Sequence, residues 1–176
     1  MPDDLTSQWA IWHDAARRVE IDEAIRNLYA ELAAAVAERR PVCNASGRCC
    51  KFETYGHRLY VTTLEIAWFL QRVKPGKPVH PESNERQGIS LQQLSESPLQ
   101  DACSYQIDGL CSVHTVRPLG CRVYFCEEGT ESWQQDQTEL FLDRLKQLHI
   151  DEGLPYQYME WRAGLAEASQ FLDASE

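Results

Sequence analysis

The first part of the chain carries an apolar pattern of helical spacing. Large apolar side chains and alanines recur every three or four residues between Trp9 and Val36, which predicts one long helix or two consecutive helices. Asp22 is a candidate cap between two such helices. Arg39 and Arg40 fall in the last turn, where cations favour the negative end of the helix dipole, and Pro41 predicts the end of the helix.

A short strand and a second helical segment are predicted after the first cysteines. Residues 57–62 have the composition of a strand, and Thr62-Thr63-Leu64-Glu65 fits a capping box that opens a helix. That helix is expected to end near Pro75-Gly76. Residues 74–90 are rich in proline, glycine, serine and asparagine, which indicates a surface loop.

The last third of the chain is again helical in pattern. Thr130 or Ser132 is expected to cap a helix that Gly153 closes. A final helix is predicted with Pro155 in its first turn and an apolar face that runs from Tyr158 to Leu172.

Composition restricts the fold and the partners further. The chain has 176 residues, of which 43% are hydrophobic, and this is enough for one core. We therefore predict a mainly α fold with a single domain, residues 1–176, whose terminal helices pack around a loop-rich centre with at most a short hairpin. The net charge of −10 disfavours nucleic acids and anionic membranes as partners. Neither a secretory signal nor an apolar membrane span is apparent, and a cytoplasmic protein is expected.

The cysteines are the unusual feature of the sequence. All seven lie in the centre of the chain, within residues 42–126. A disulfide framework is typical of short exported chains with an even number of cysteines, so metal–thiolate chemistry is the leading interpretation. The alternative is that these cysteines are simply small buried hydrophobic residues. The candidate metal ligands are Cys43, Cys49, Cys50, Cys103, Cys111, Cys121, Cys126 and His114.

The spacing of these residues narrows the kind of site. Zinc ribbons carry C-x2-C pairs and ferredoxins carry closely spaced runs of four cysteines, and the chain has neither. A dispersed site for zinc or iron remains, around which the centre of the chain must fold. His114 lies between Cys111 and Cys121, within reach of such a site, whereas His57 is a weaker candidate ligand.

The adjacent pair Cys49-Cys50 admits three interpretations. Neighbouring side chains diverge on a helix or a strand, so two adjacent thiolates seldom bind one ion. The pair could serve two metal ions, or two irons of one cluster, or one cysteine could be a ligand and the other a core residue. Arg48, Arg117 and Arg122 lie near cysteines in the sequence and would offset thiolate charge.

Several segments together resemble a known family. They are Cys43-Asn44-Ala45-Ser46-Gly47-Arg48-Cys49-Cys50, Val61-Thr62-Thr63-Leu64-Glu65-Ile66, Cys103, Cys111-Ser112-Val113-His114 and Arg117-Pro118-Leu119-Gly120-Cys121-Arg122. The combination resembles the cysteine-cluster family of zinc- or iron-chelating domain proteins, to which flagellin lysine N-methylases are related. The resemblance implies binding of a metal or an iron–sulfur cluster, with methyl transfer in a subset. Ser46 stands where the family often has a second cysteine.

The sequence contains none of several common enzyme motifs that would favour a function other than metal binding. The chain lacks the nucleophile elbow of hydrolases, the phosphate-binding loop, the zincin motif and the glycine-rich turn of dinucleotide-binding folds. We therefore predict a metal-binding protein that holds zinc or iron, with a structural, regulatory or redox role. The alternative is an iron–sulfur enzyme that modifies a protein side chain, similar to a lysine N-methylase.

Overall fold

The structure, a computed structural model, describes residues 4–73 and 102–174 and confirms the mainly α fold class. The α-helices in this part are α1 (Asp4–Ala15), α2 (Val19–Arg39), α3 (Phe52–Tyr55), α4 (Thr63–Leu70), α5 (Leu119–Val123), α6 (Glu131–Asp151) and α7 (Trp161–Asp173). The 3-10 helices are η1 (Arg48–Cys50) and η2 (His114–Val116), and the strands are β1 (Tyr60–Thr62), β2 (Gln106–Ile107), β3 (Leu110–Cys111) and β4 (Tyr158–Glu160). The surface loop predicted for residues 74–90 lies outside the described residues.

The N-terminal pattern forms two helices, and the residue predicted to separate them has another role. Arg18, in an extended conformation, precedes α2, so the prediction of Asp22 as the cap is wrong. Asp22 lies in the first turn of α2, where its carboxylate accepts a hydrogen bond of 2.9 Å from the indole of Trp68 and pairs with Arg26 and Arg72. Helix α2 ends at Arg39, as predicted from Pro41.

Helix α4 begins with the predicted capping box and crosses the interior. The Thr62 hydroxyl accepts from the backbone N–H of Glu65 at 3.3 Å, and the Glu65 carboxylate accepts from the backbone N–H of Thr62 at 3.0 Å. Every residue from Thr63 to Phe69 is buried. Helices α1 and α7 both pack against α4, so this short apolar helix forms the centre of the core.

The last helix starts later than the sequence predicts. Strand β1 pairs antiparallel with β4, with Tyr60 opposite Glu160 and Thr62 opposite Tyr158. Pro155 and Tyr158 therefore precede helix α7, which begins at Trp161 with the Glu160 carboxylate accepting from Ala163 N at 2.9 Å. The backbone groups of β1 need a partner strand, and residues distant in sequence provide it.

The helix before α7 begins and ends where the sequence predicts, but the Thr130 side chain makes no capping hydrogen bond. Helix α6 follows Thr130, and Gly153, with a φ of 62°, donates its N–H to the carbonyl of Ile150 just beyond the last turn. An exposed ion pair of Arg144 with Glu31, at 2.6 Å, joins α6 to α2. None of the helices in the described part of the chain combines the length and apolar character needed to cross a membrane.

Candidate metal centre

Backbone contacts hold the segment that contains Cys49 and Cys50 against the segment that contains Cys103. The N–H of Cys103 donates to the carbonyl of Cys50 at 2.7 Å, and Lys51 pairs with Ala102 in an isolated antiparallel bridge. The side-chain amide of Gln106 donates to the carbonyl of Gly47 at 2.8 Å. These bonds fix the position of Cys103 relative to Cys50 without any contact between the two thiols.

A tight hairpin positions the next cysteine. Asp108 and Gly109, with φ of 50° and 80°, connect β2 to β3 and place Cys111 opposite Gln106. An Asp-Gly pair is a common signal for a two-residue hairpin, and it is readable in this sequence. Gly47 packs against this hairpin so closely that a Cβ there would lie 2.5 Å from the Gly109 carbonyl oxygen.

A buried carboxylate anchors the helix that carries Cys121. Glu65, only 1% exposed, accepts from the backbone N–H of Leu119 at 2.8 Å and from the Tyr29 hydroxyl at 2.7 Å. Its other oxygen caps α4, so one side chain joins α2, α4 and the start of α5. Sequence reasoning assigned Glu65 to the capping box alone and missed this second contact, because Leu119 is far away along the chain.

The half-buried side chain of Arg122 holds the loop before Cys121. Arg122 donates to the carbonyls of Arg117 at 2.6 Å and Thr115 at 2.8 Å, and its guanidinium lies 4.1 Å from the centre of the Tyr29 ring. Arg122 thus stabilises the η2–α5 loop. That Arg122 also offsets thiolate charge stays a prediction.

Five of the seven cysteines meet where these segments converge. The Cys49 and Cys50 sulfur atoms are 3.9 Å apart, and side-chain hydrogen bonds also join Cys50 to Cys103 and Cys111. Cys121 lies close enough for the charges of Cys103 and Cys111 to act on it. We call this group the thiol cluster: Cys49, Cys50, Cys103, Cys111 and Cys121.

The adjacent cysteines do not diverge as expected. Divergence applies to regular helices and strands, whereas Cys49 and Cys50 end the short 3-10 turn Arg48–Cys50, which a left-handed Gly47 precedes. In this turn the two sulfur atoms lie in one cluster.

Hydrogen bonds divide the thiols into acidic and neutral members. The hydrogen bond with Cys50 and the nearby Arg117 lower the pKa of Cys49 to about 6 and that of Cys111 to about 7. The bond with Cys50 also lowers the pKa of Cys103. Bonds to these three neighbours raise the pKa of Cys50, so Cys50 is the proton donor at the centre of the group. Burial raises the pKa of Cys121.

Two donor groups beside the cluster favour negative charge on sulfur. The nearby Trp161 indole N–H lowers the pKa of Cys103, and this buried nitrogen has no hydrogen-bond partner among the described residues. The Nε of Arg117 is likewise buried without a hydrogen-bond partner among those residues. Such donors stabilise thiolates, which is the role predicted for Arg117.

The remaining candidate ligands lie elsewhere on the surface. Cys43 and Cys126 are exposed, and the Cys126 sulfur lies 3.9 Å from the hydroxyl of Ser46. His114 is exposed in η2. Their assignment as ligands stays a prediction.

The thiol cluster is not arranged as ligands around a vacant centre. Across residues 4–73 and 102–174, no three cysteine, histidine, aspartate or glutamate side chains surround one point as a metal ion requires. Cys50 instead contacts Cys49, Cys103 and Cys111, so a sulfur atom is itself surrounded. The donor chemistry suits a thiophilic metal, and the Cys50 side chain would have to shift from its central position to admit one between the sulfur atoms.

Comparison of the chain with protein-family models, with curated proteins and with solved structures found no match.

Proposed function

We propose that the protein binds a single zinc or iron ion through Cys49, Cys50, Cys103 and Cys111, and that this ion has a structural role. The observation that carries the proposal is the set of hydrogen bonds by which the Cys50 thiol joins the other three. These four sulfur atoms come from three separate segments, and all are close enough to share one proton donor. Tetrahedral sulfur sites of this composition hold zinc or iron.

The spacing of the two adjacent sulfur atoms is close to that of thiolates which share one metal ion. Zinc–sulfur bonds of about 2.3 Å in a tetrahedron place the sulfur atoms about 3.8 Å apart. The Cys49 and Cys50 sulfur atoms are 3.9 Å apart.

Charge around the four thiols also supports metal binding. Four thiolates and a divalent cation leave a net charge of −2, which the Arg117 guanidinium and the Trp161 N–H partly offset. Three of the thiols already have lowered pKa values, and Cys50 carries the proton that a metal would displace. Binding should therefore release protons and strengthen as the pH rises.

A structural role follows from the number of donors. Four sulfur ligands complete a tetrahedral site, whereas catalytic zinc sites keep one position open. The bound ion would link η1 to Cys103 and to strand β3. Its binding free energy would then contribute to folding.

Metal analysis of the natural protein is the first experiment. The protein is purified under anaerobic conditions, and we expect elemental analysis to give about one zinc or iron per chain. Replacement by cobalt(II) should produce an intense sulfur-to-cobalt charge-transfer band in the near ultraviolet. A folded, metal-free protein that takes up none of these ions would contradict the proposal. A brown sample that contains several irons and sulfide would instead indicate an iron–sulfur protein.

Matched cysteine variants test which thiols bind. Cys50→Ser should lower metal affinity at least a hundredfold in competition with a chelator, because one of four ligands is lost. Cys43→Ser, at an exposed site outside the thiol cluster, is the control and should keep the affinity of the natural protein. Equal affinities for the two variants would exclude the proposed ligand set.

A further inference from the structure

Two cysteines of the thiol cluster lie opposite each other on neighbouring backbone segments. Lys51 pairs with Ala102 in an antiparallel bridge, which places Cys50 opposite Cys103. The N–H of Cys103 donates to the carbonyl of Cys50 at 2.7 Å. Opposite residues that share such a hydrogen bond have Cα atoms about 5.5 Å apart. A disulfide spans Cα separations of about 4.4–6.8 Å, so the backbone already holds this pair within the range of a disulfide.

The side chains of the pair also point toward each other. A side-chain hydrogen bond joins the Cys50 thiol to Cys103. Two cysteines whose Cβ atoms point apart cannot be joined without movement of the backbone. The contact between these two thiols excludes that obstacle.

The other contacts of Cys50 are less suited to a disulfide. The Cys49 and Cys50 sulfur atoms are 3.9 Å apart, but the peptide bond between these residues is trans. Cα atoms across a trans peptide bond lie about 3.8 Å apart, which is below the usual range for a disulfide. Cys111 also contacts Cys50, but the residue opposite Cys111 is Gln106. Backbone geometry therefore favours Cys103 as the partner of Cys50.

A small oxidant can reach the thiol cluster from outside. Cys103 is partly exposed, whereas Cys50 is 6% exposed. A pocket of about 190 Å³ opens beside the cluster, and Cys49 and Cys121 form part of its lining. Hydrogen peroxide is comparable in size with a water molecule, which occupies about 30 Å³ in the liquid, and fits this space.

We infer that a peroxide oxidises Cys50 and Cys103 to a reversible disulfide, and that this disulfide and the metal ion exclude each other. The Cys103 thiolate attacks one oxygen of hydrogen peroxide, the O–O bond breaks, and a sulfenic acid and hydroxide form. The Cys50 thiol then attacks the sulfenic sulfur, and its proton leaves with the hydroxyl group as water. The hydroxide takes up the proton that Cys103 had released, so two thiols lose two electrons and the peroxide becomes two water molecules.

The exclusion of the metal rests on the proposed function, whereas the disulfide itself does not. Thiolate sulfur is the form that binds a metal, so the disulfide removes two of the four proposed ligands. A bound ion in turn occupies both sulfur atoms. Either form joins η1 to the segment that contains Cys103, so the oxidised protein keeps the link that the ion would otherwise provide.

Peptide mapping tests the disulfide. Metal-free protein, prepared with a chelator, is treated with hydrogen peroxide, its remaining thiols are blocked, and it is digested with trypsin and the endoproteinase Asp-N. Mass spectrometry should detect fragment 49–51 joined to fragment 101–107, and dithiothreitol should separate them. Protein as purified should give the same link more slowly. A disulfide within fragment 49–51, a link to fragment 108–122, or oxidation to sulfinic acid without a link would overturn the inference.

The adjacent cysteines offer a matched pair of variants. Cys49→Ser should form the link about as fast as the natural protein, because both linked residues remain. Cys50→Ser should form it at least about tenfold more slowly, because the residue opposite Cys103 is lost. Circular dichroism confirms that both variants keep their helices. Equal rates for the two variants would assign the link to another pair of thiols.

Zinc tests the exclusion separately. Protein loaded with zinc should form the link at least about tenfold more slowly than metal-free protein, because the ion occupies both sulfur atoms. Linked protein should bind no zinc until dithiothreitol reduces it. Equal rates of linkage, or zinc binding by the linked protein, would refute the exclusion. A natural protein that binds neither zinc nor iron would contradict the proposed function and the exclusion together, whereas the linked fragments would still decide the disulfide.

Discussion

Replacement of Glu65 by glutamine should destabilise the protein far more than the loss of one charge on the surface would. The carboxylate accepts four hydrogen bonds: two from Thr62, one from Tyr29 and one from the backbone N–H of Leu119. A glutamine amide has one oxygen, so its NH2 group must face one of the two backbone N–H donors, of Thr62 or Leu119. The hydroxyl groups of Tyr29 and Thr62 can rotate to accept, but a backbone N–H cannot.

The expected loss can be worked from these contacts. A buried backbone N–H without an acceptor costs about 1–3 kcal/mol, and the bonds that remain lose the strengthening given by a charged acceptor. The expected loss in the free energy of unfolding is about 3–4 kcal/mol, which is a large part of the total of about 5–15 kcal/mol for a typical domain. Helix α5 should loosen first, because Glu65 holds its N-terminus.

Urea unfolding followed by circular dichroism measures this loss, at fixed metal content and with the slope of the transition checked for two-state behaviour. Glu20→Gln is the control, since the Glu20 carboxylate is 73% exposed, and it should unfold as the natural protein does. Tyr29→Phe in combination with Glu65→Gln should be less than additive, because both changes remove the same hydrogen bond. A loss below about 1 kcal/mol for Glu65→Gln would refute the assigned role of Glu65.

Three further predictions follow from the core, the hairpin and the thiol cluster. Burial lowers the pKa of His149 from 6.5. The unfolded chain therefore binds a proton more readily than the folded protein does, so the free energy of unfolding should be constant above about pH 6.5 and fall below it. His149→Asn, which keeps a donor for the Pro155 carbonyl, should weaken that decline in urea unfolding at pH 5.5 and 7.5; an identical decline would exclude His149 as its source. Gly47→Ala should destabilise the fold more than Gly129→Ala, because both glycines have positive φ but only Gly47 has a neighbour within 4 Å of a Cβ, and equal midpoints in urea would contradict this. Arg117→Gln should lower metal affinity about tenfold in a chelator competition, and an unchanged affinity would remove Arg117 from the site.

Local signals in the sequence were enough for most of the helices. The apolar spacing between Trp9 and Val36, the stop at Pro41 and the capping box at Thr62 each depend on residues a few positions apart. Interactions over so short a range are encoded by neighbouring residues, and periodicity records which face of a helix is buried. The mainly α fold class was predictable for the same reason.

Where a local signal competed with a distant contact, the distant contact decided the structure. Pro155 and Tyr158 fit the start of a helix, but the unpaired backbone of β1 takes residues 158–160 as its partner strand. Asp22 has the chemistry of a cap, yet Trp68 and Arg72, on another part of the chain, bind its carboxylate. Propensity is a weak preference that tertiary hydrogen bonds and packing can override.

The sequence alone determined which residue types could form a site, namely a dense group of cysteines with arginines close by. It could not determine which of them meet, because that depends on backbone contacts between distant segments, such as the bond from Cys103 to Cys50 and the anchoring of Leu119 by Glu65. The tertiary structure therefore separated a cluster of five thiols from the exposed Cys43 and Cys126. It also formed the pocket beside Cys49, since a concave surface arises only when separate segments pack together.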